Sequence, residues 1–293
     1  MKRWARTFEA LGGDEISPSL VETYLRCPMQ WYWRYIEKKK MPPGVALVQG
    51  SSVHTAAGVD LENAIENGTH LGPDVVADIA AAEYDKRVQE EGVMLTPAEE
   101  SLGRDNVLGA AKDQTVAMAV TYGKKSEVIV PKQVEVWLVG SLKVDDDELK
   151  IVGRPDAIVQ KMAADEEVSE ADAQPADRDG QVVMDLKTTG AKWPKTRLIN
   201  SLQMRVYSML AEKPVEVLQI VKGRGKGQPK SVVAAAAYNK QSYYRAQHLI
   251  VRVLDSIEAG IFPPTSPTDW ACSPAYCGYW AICPFGGGAK KWV

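Results

Sequence analysis

At residue 133 the spacing of the apolar side chains changes, and that change limits what this chain can fold into. Upstream, residues 50–66, 73–91 and 97–122 read as helices, with Pro73 and the pair Thr96-Pro97 standing where helices begin. Downstream, QVEVWLVGSLKV, ELKIVGRPDAIVQ and GQVVMDLKT alternate, which predicts three strands in succession. A helix over about 196–212 follows, then strands VEVLQIV and KSVVAAAAY around the tip KGRGKGQPK, then a helix over about 239–259. The sum is a mixed α/β sheet with helical additions. The expected organisation is an N-terminal helical lobe (1–130), a sheet-bearing core (131–260) and a tail (261–293), packed as one unit. Residues 17–36 read as a capped helix interrupted near Cys27-Pro28 and followed by an aromatic segment. Residues 163–180 are so charged that a mobile hairpin excursion is expected there.

Of the 293 residues, 45% are hydrophobic and 25% charged, which excludes collagen-like and disordered classes for the whole chain. No run of about 18 apolar residues occurs, so no membrane span is expected. The start, MKRWARTFEALGG, lacks the apolar stretch of a secretory signal, and a cytoplasmic location is the expectation. The net charge of −3 hides a polarised pattern. Residues 165–179 hold seven acids and one Arg, whereas nine Lys or Arg face three acids from 220 onward. That pattern fits either one face that binds polyanions or a mosaic of solvated faces.

The chemistry concentrates on Asp156, Asp185 and Lys187. Asp156 lies in Gly-Arg-Pro-Asp-Ala-Ile near a strand end, and Asp185 and Lys187 are two apart on the next strand, so they share a face. If those strands pair, both carboxylates project to one point at the sheet edge. Two carboxylates with few other ligands suit Mg²⁺ or Mn²⁺. A neighbouring Lys can orient or deprotonate a water, and the set suits metal-assisted phosphodiester hydrolysis.

Pro155-Asp156 followed by Asp185-Leu186-Lys187 resembles the PD-(D/E)xK nuclease signature. Gln203 and Tyr207, in QMRVY, are similar to the Q-x-x-x-Y motif of the RecB-like branch and share one helical face. His54, in QGSSVHTAAG, falls where that branch supplies an extra metal ligand; on its own it reads rather as a helix-face histidine with a backbone partner. Cys27, in YLRCPMQWYWRY, with Cys272, Cys277 and Cys283, resembles the iron–sulfur staple of the AddB-type and CRISPR-associated exonucleases. The resemblance runs from about 17 to 285. It implies a restriction-endonuclease-like mixed sheet core flanked by helices, with an iron–sulfur tail. It also implies a Mg²⁺ or Mn²⁺ ion on His54, Asp156, Asp185 and the Leu186 carbonyl. Lys187 would handle the water, and Gln203 and Tyr207 would position the DNA backbone or support Lys187. The implied activity is DNA exonuclease, on single strands or duplexes with ends, with a structural 4Fe–4S cluster. Two other readings stand beside it: an endonuclease on branched or single-stranded DNA, and a DNA-end-binding partner in recombination or CRISPR adaptation. No ATPase motif occurs, so unwinding would need a helicase or another recombination partner.

By ligand chemistry alone, four thiolates suit zinc or iron–sulfur, and a lone Cys plus a triple fits the paired spacing of zinc sites poorly. The four residues between Cys272 and Cys277, where the family usually has two, depart from the pattern. Trp31, Trp33, Trp270, Tyr276, Tyr279 and Trp280 lie near the cysteines in sequence and are expected to shield the site, with base stacking as the alternative. Lys222, Arg224 and Lys226 at the basic tip are expected either to contact DNA phosphates or to be solvated. Glu135 reads as an exposed strand residue, with a further site acid as the alternative. His70 and His248 read as structural or surface residues.

Overall fold

The computed structural model describes residues 3–173, 179–223, 225 and 227–287. Ten helices and nine strands occur among these residues. First come α1 (Ala5–Leu11), β1 (Glu15–Ile16), α2 (Pro18–Arg26), α3 (Pro28–Trp31) and a π-helical turn, Tyr32–Ile36. The helical section continues with α4 (Val45–Asn67), α5 (Pro73–Glu90), α6 (Pro97–Ser101) and α7 (Arg104–Ser126). The strands β2 (Pro131–Val134), β3 (Leu138–Val144), β4 (Asp147–Gly153), β5 (Ala157–Gln160), β6 (Glu166–Ser169) and β7 (Gln181–Thr189) follow. The chain then forms α8 (Lys195–Asn200), α9 (Leu202–Ala211), β8 (Val215–Val221), β9 (Lys230–Ala237) and α10 (Lys240–Glu258).

The alternating runs do not form one meander. The first breaks at Glu135, whose φ of 49° lies outside the pleat. The second breaks at Arg154-Pro155, where Pro155 has no N–H to donate to a ladder. Each run therefore feeds two sheets. β3 and β4 pair in a three-stranded sheet of order β1-β4-β3, while β2 and β5 join the six-stranded sheet of order β2-β5-β7-β8-β9-β6. The acidic excursion is also not all loop. Glu166–Ser169 pairs in parallel with Ala234–Ala237 as the edge strand β6, because main-chain bonding to β9 does not need apolar side chains. The helix expected at 196–212 is two, divided at Ser201, whose side chain accepts the Met204 N–H.

β7 is central in the large sheet and sets the layers. Val182, Met184 and Leu186 face a buried cluster shared with α4, α5 and α7. Val183 faces the other way, into a cluster with Met204 and Tyr207 of α9. By the two-residue period, Asp185 and Lys187 fall on the α9 side. A third cluster joins α2, α9, α10 and β4 through Leu20, Val21, Leu202, Ile250 and Leu149. Fully burying each such side chain contributes about 1.5–3 kcal/mol. Among the described residues, no helix is long and apolar enough to cross a membrane.

Candidate active site

The site begins with a glycine. A Cβ on Gly50 would stand 2.9 Å from Thr188 Oγ1, so a glycine here lets α4 lie against β7 without displacing that side chain. His54 is one helical turn further along the same face. Its Nδ1 hydrogen-bonds Asp156 Oδ1 at 2.8 Å. The second oxygen of Asp156 accepts the Leu186 N–H at 2.7 Å, which ties the turn before β5 to β7. It is thus the Leu186 N–H that bonds a site carboxylate here. Asp185 is buried beside them, and its Oδ2 lies 2.7 Å from Lys187 Nζ.

The charges hold one another. Burial disfavours the His54 imidazolium, but the Asp156 carboxylate outweighs it and raises the His54 pKa. Burial likewise raises Asp156, yet His54, the Leu186 N–H and Lys187 together leave its carboxyl below the usual range. Asp185 is pushed up by burial and by the Asp156 charge, against the pull of Lys187. Lys187 is held as an ammonium: Asp185 and Asp156 more than offset the cost of its burial.

His54, Glu135, Asp156 and Lys187 line one open cavity of about 520 Å³. Glu135 thus faces the site, where its carboxylate pairs with Arg154. Gln203 Nε2 donates to the Tyr207 hydroxyl at 2.8 Å, and that hydroxyl donates to the Arg154 carbonyl at 3.0 Å. Burial and the charges of Asp185 and Asp156 raise the Tyr207 pKa well above the ordinary phenol value. Tyr207 is buried, and its hydroxyl reaches the turn that carries Asp156.

Lys222 is not a free tip lysine. It is half-buried, donates to Gln49 Oε1 at 2.5 Å, and burial lowers its pKa. Arg224 and Lys226 lie outside the described residues. His70 is structural, bonded to Asp60 and to the Ile129 carbonyl, and His248 is exposed against Tyr244. Glu22, which the sequence reading passed over, reaches the site from α2. Its charge and that of Lys187 influence each other, and burial raises its pKa. The available signal was that Glu22 is the sole acid in residues 17–30.

The four cysteines are all free and half-buried. Burial raises the thiol pKa of Cys272, and Cys27 and Cys283 raise it further. Cys277 is raised by burial and by the other three thiols. One region of the fold therefore gathers Cys27 with the tail cysteines. Trp31 and Tyr279 are buried, Trp31 stacks on Phe262 at 5.7 Å, and the Tyr279 hydroxyl donates to the Lys39 carbonyl at 2.9 Å. Trp270 and Tyr276 are 63% and 65% exposed, so they do not serve as the shield expected of them.

Among the described residues, no three His, Cys, Asp or Glu side chains stand as they are in an arrangement that could hold a metal ion. The donor chemistry nevertheless fits the two groups that the motifs imply. Asp185 Oδ2 is buried and accepts no well-formed hydrogen bond, so it has capacity for a cation, and the set around it is two carboxylates and an imidazole. The tail offers sulfur alone, which suits zinc or iron–sulfur.

The family profile described as the PD-(D/E)XK nuclease superfamily matches residues 15–284. No curated protein matches the sequence. Among solved structures, a candidate exonuclease from Eubacterium rectale is similar at a TM-score of 0.45 and 11% identity, covering 99% of this chain and 92% of that one. SSO0001 is similar at a TM-score of 0.40 and 14% identity, covering 92% and 86%.

Proposed function

Since the chain belongs to the PD-(D/E)XK nuclease superfamily, we propose that it is an exonuclease of the RecB-like branch that hydrolyses DNA from its ends. The observation that carries this reading is the convergence of His54, Asp156, Asp185 and Lys187, from α4, the turn before β5, and β7. In this reading Asp156 and Asp185 hold Mg²⁺ or Mn²⁺, with His54 and the Leu186 carbonyl completing the set. When bound, the ion supplies positive charge to the scissile phosphate and lowers the pKa of a coordinated water. Lys187, kept cationic in its buried setting, orients the attacking water and offsets charge on the phosphate oxygens. Gln203 and Tyr207 brace the Asp156 turn. Arg224 and Lys226 contribute phosphate contacts that weaken with salt. Unwinding of duplex falls to a helicase or other recombination partner.

We also propose that Cys27, Cys272, Cys277 and Cys283 bind a structural 4Fe–4S cluster. The mutual influence of these thiols supports it. Anaerobically purified protein should be brown and contain iron; well-folded protein with zinc and no iron would overturn this assignment.

The test of the nuclease reading is cleavage of end-labelled linear DNA and of closed circles with Mn²⁺ or Mg²⁺, beside Lys187→Ala and a chelator control. Loss of linear DNA alone, abolished by both controls, is the expected result. Cutting of circles would replace it with the endonuclease reading, and tight end binding without cleavage with the binding-partner reading.

A further inference from the structure

The cavity that holds His54, Asp156 and Lys187 extends past them. Its wall also includes Leu47 of α4 and Arg87 of α5. Leu47 precedes His54 by seven residues, two helical turns, so one face of α4 carries both, about 10 Å apart. Arg87 belongs to the Leu47 end, because Val48 and Val88, the chain neighbours of Leu47 and Arg87, pack in one cluster. That end of the cavity therefore stands apart from the His54–Asp156 pair. The other two cations on the wall are committed there, His54 to Asp156 and Lys187 to Asp185.

Arg87 is held by its own helix. Its Nη1 donates to Glu91 Oε1 at 3.0 Å, one turn later, and its Nε lies 2.7 Å from Glu83 Oε1, one turn earlier. A guanidinium carries five N–H donors in one plane. The two glutamates engage the Nε and Nη1 positions, and among the described residues Nη2 has no partner for its two N–H groups. Arg87 and Glu91 are 28% and 45% exposed, and ion pairs this open to water contribute little binding of their own. The pairs thus orient the guanidinium without satisfying it. Leu47 is 63% exposed on the same cavity wall, an apolar side chain with one face free. We propose that Arg87 and Leu47 form a subsite for the nucleotide next to the scissile phosphate. Arg87 donates through Nη2 to the phosphate of that nucleotide, since planar guanidinium donors match phosphate oxygens. Leu47 packs against its base. The inference rests on the nuclease reading given above and specifies how the substrate strand is held. Neither contact reads a base edge, so the subsite is blind to sequence.

The test uses the full chain and a fluorescent single-stranded oligonucleotide. Binding is measured without metal, by anisotropy over a range of salt, and kcat and KM are measured with Mn²⁺. Arg87→Ala should weaken binding and raise KM about tenfold, with kcat within about threefold. It should also reduce the slope of log affinity against log salt by about 0.7, the loss of one phosphate contact. Arg87→Lys keeps a charge and fills the same space, so it should restore the slope but only part of the affinity, and it serves if Arg87→Ala loses stability. Leu47→Ser should weaken binding about threefold with the salt slope unchanged. Oligonucleotides with one phosphate at a time replaced by an uncharged methylphosphonate locate the contact. At one position beside the cleaved bond wild type should lose about tenfold and Arg87→Ala nothing further. A wild-type salt slope in Arg87→Ala would overturn the subsite, as would equal sensitivity of both proteins at every methylphosphonate position. Wild-type binding by Leu47→Ser would overturn the base contact. A wild type that binds and cuts DNA beside an unresponsive Arg87→Ala removes this inference alone. A wild type that neither binds nor cuts removes the nuclease reading and the inference with it.

Discussion

β7 and the tail hold their chemistry in opposite ways. β7 has a partner strand on each side, and Val182, Val183, Met184 and Leu186 are buried between two helical layers. Asp185 and Lys187 are placed by the pleat itself, before any ligand arrives. Residues 262–287 contain neither helix nor strand. Their order comes from turns such as Cys272 N–H to the Asp269 carbonyl, from Phe262 stacked on Trp31, and from Tyr279 bonded to the Lys39 carbonyl. A strand places its side chains by its own pairing; the tail is placed by turns and by contacts with distant aromatic and main-chain groups.

That contrast is open to attack from both ends. The largest expected effect is Lys187→Ala, about 10³-fold in cleavage rate with the far-ultraviolet spectrum unchanged, because it removes charge stabilisation from a pre-formed site. A fall below about tenfold would show that the strand does not carry the chemistry. Cys27→Ala should act on the fold instead, costing about 2–4 kcal/mol in anaerobic denaturant unfolding. Mn²⁺ binding by the folded fraction should stay near wild type; equal loss of both would merge the two regions into one unit.

Glu216 tests whether the sheet tolerates a charge away from the site. It is fully buried, its Oε2 accepts the Met162 N–H at 2.9 Å, and its Oε1 has no partner. Burial raises its pKa from 4.5 to about 7. Between those values an unfolded chain ionises while the folded one stays protonated, so this group removes stability as pH rises toward 7. Glu216→Gln should therefore gain on wild type by about 2 kcal/mol between pH 5 and pH 8, read from denaturant midpoints. A gap that stays constant with pH would show that Glu216 is already charged. The smallest effect is Gly50→Ala, about 1 kcal/mol, from the new contact with Thr188 Oγ1. Adding Thr188→Ala should recover most of it, and failure to do so would mean that α4 is not seated on β7 through this pair.

The spacing of Asp185 and Lys187 was legible because side chains on a strand obey the two-residue period. α5 was legible from its start at Pro73, and α10 within a residue or so at each end, while α4 begins at Val45, five residues before the expected start. What the sequence hid depended on single backbone angles and on contacts between distant segments. The positive φ of Glu135 divides one alternating run between two sheets, and no pattern of polarity marks it. β6 is acidic because an edge strand is held by its main chain, so its composition pointed to a loop. Lys222 looked like a loop cation until α4 supplied Gln49 as its partner.

The same long-range packing dictates an order of events during synthesis. His54 leaves the ribosome more than a hundred residues before Asp185 and Lys187. α2, with Glu22 and Cys27, must wait longer still, for α9, for α10 and for Phe262, which closes over Trp31. A nascent chain that ends short of β7 therefore contains helices but no site able to cut a phosphodiester. The hydrolytic centre forms only once most of the polypeptide exists, so chains abandoned early in translation carry no nuclease with them.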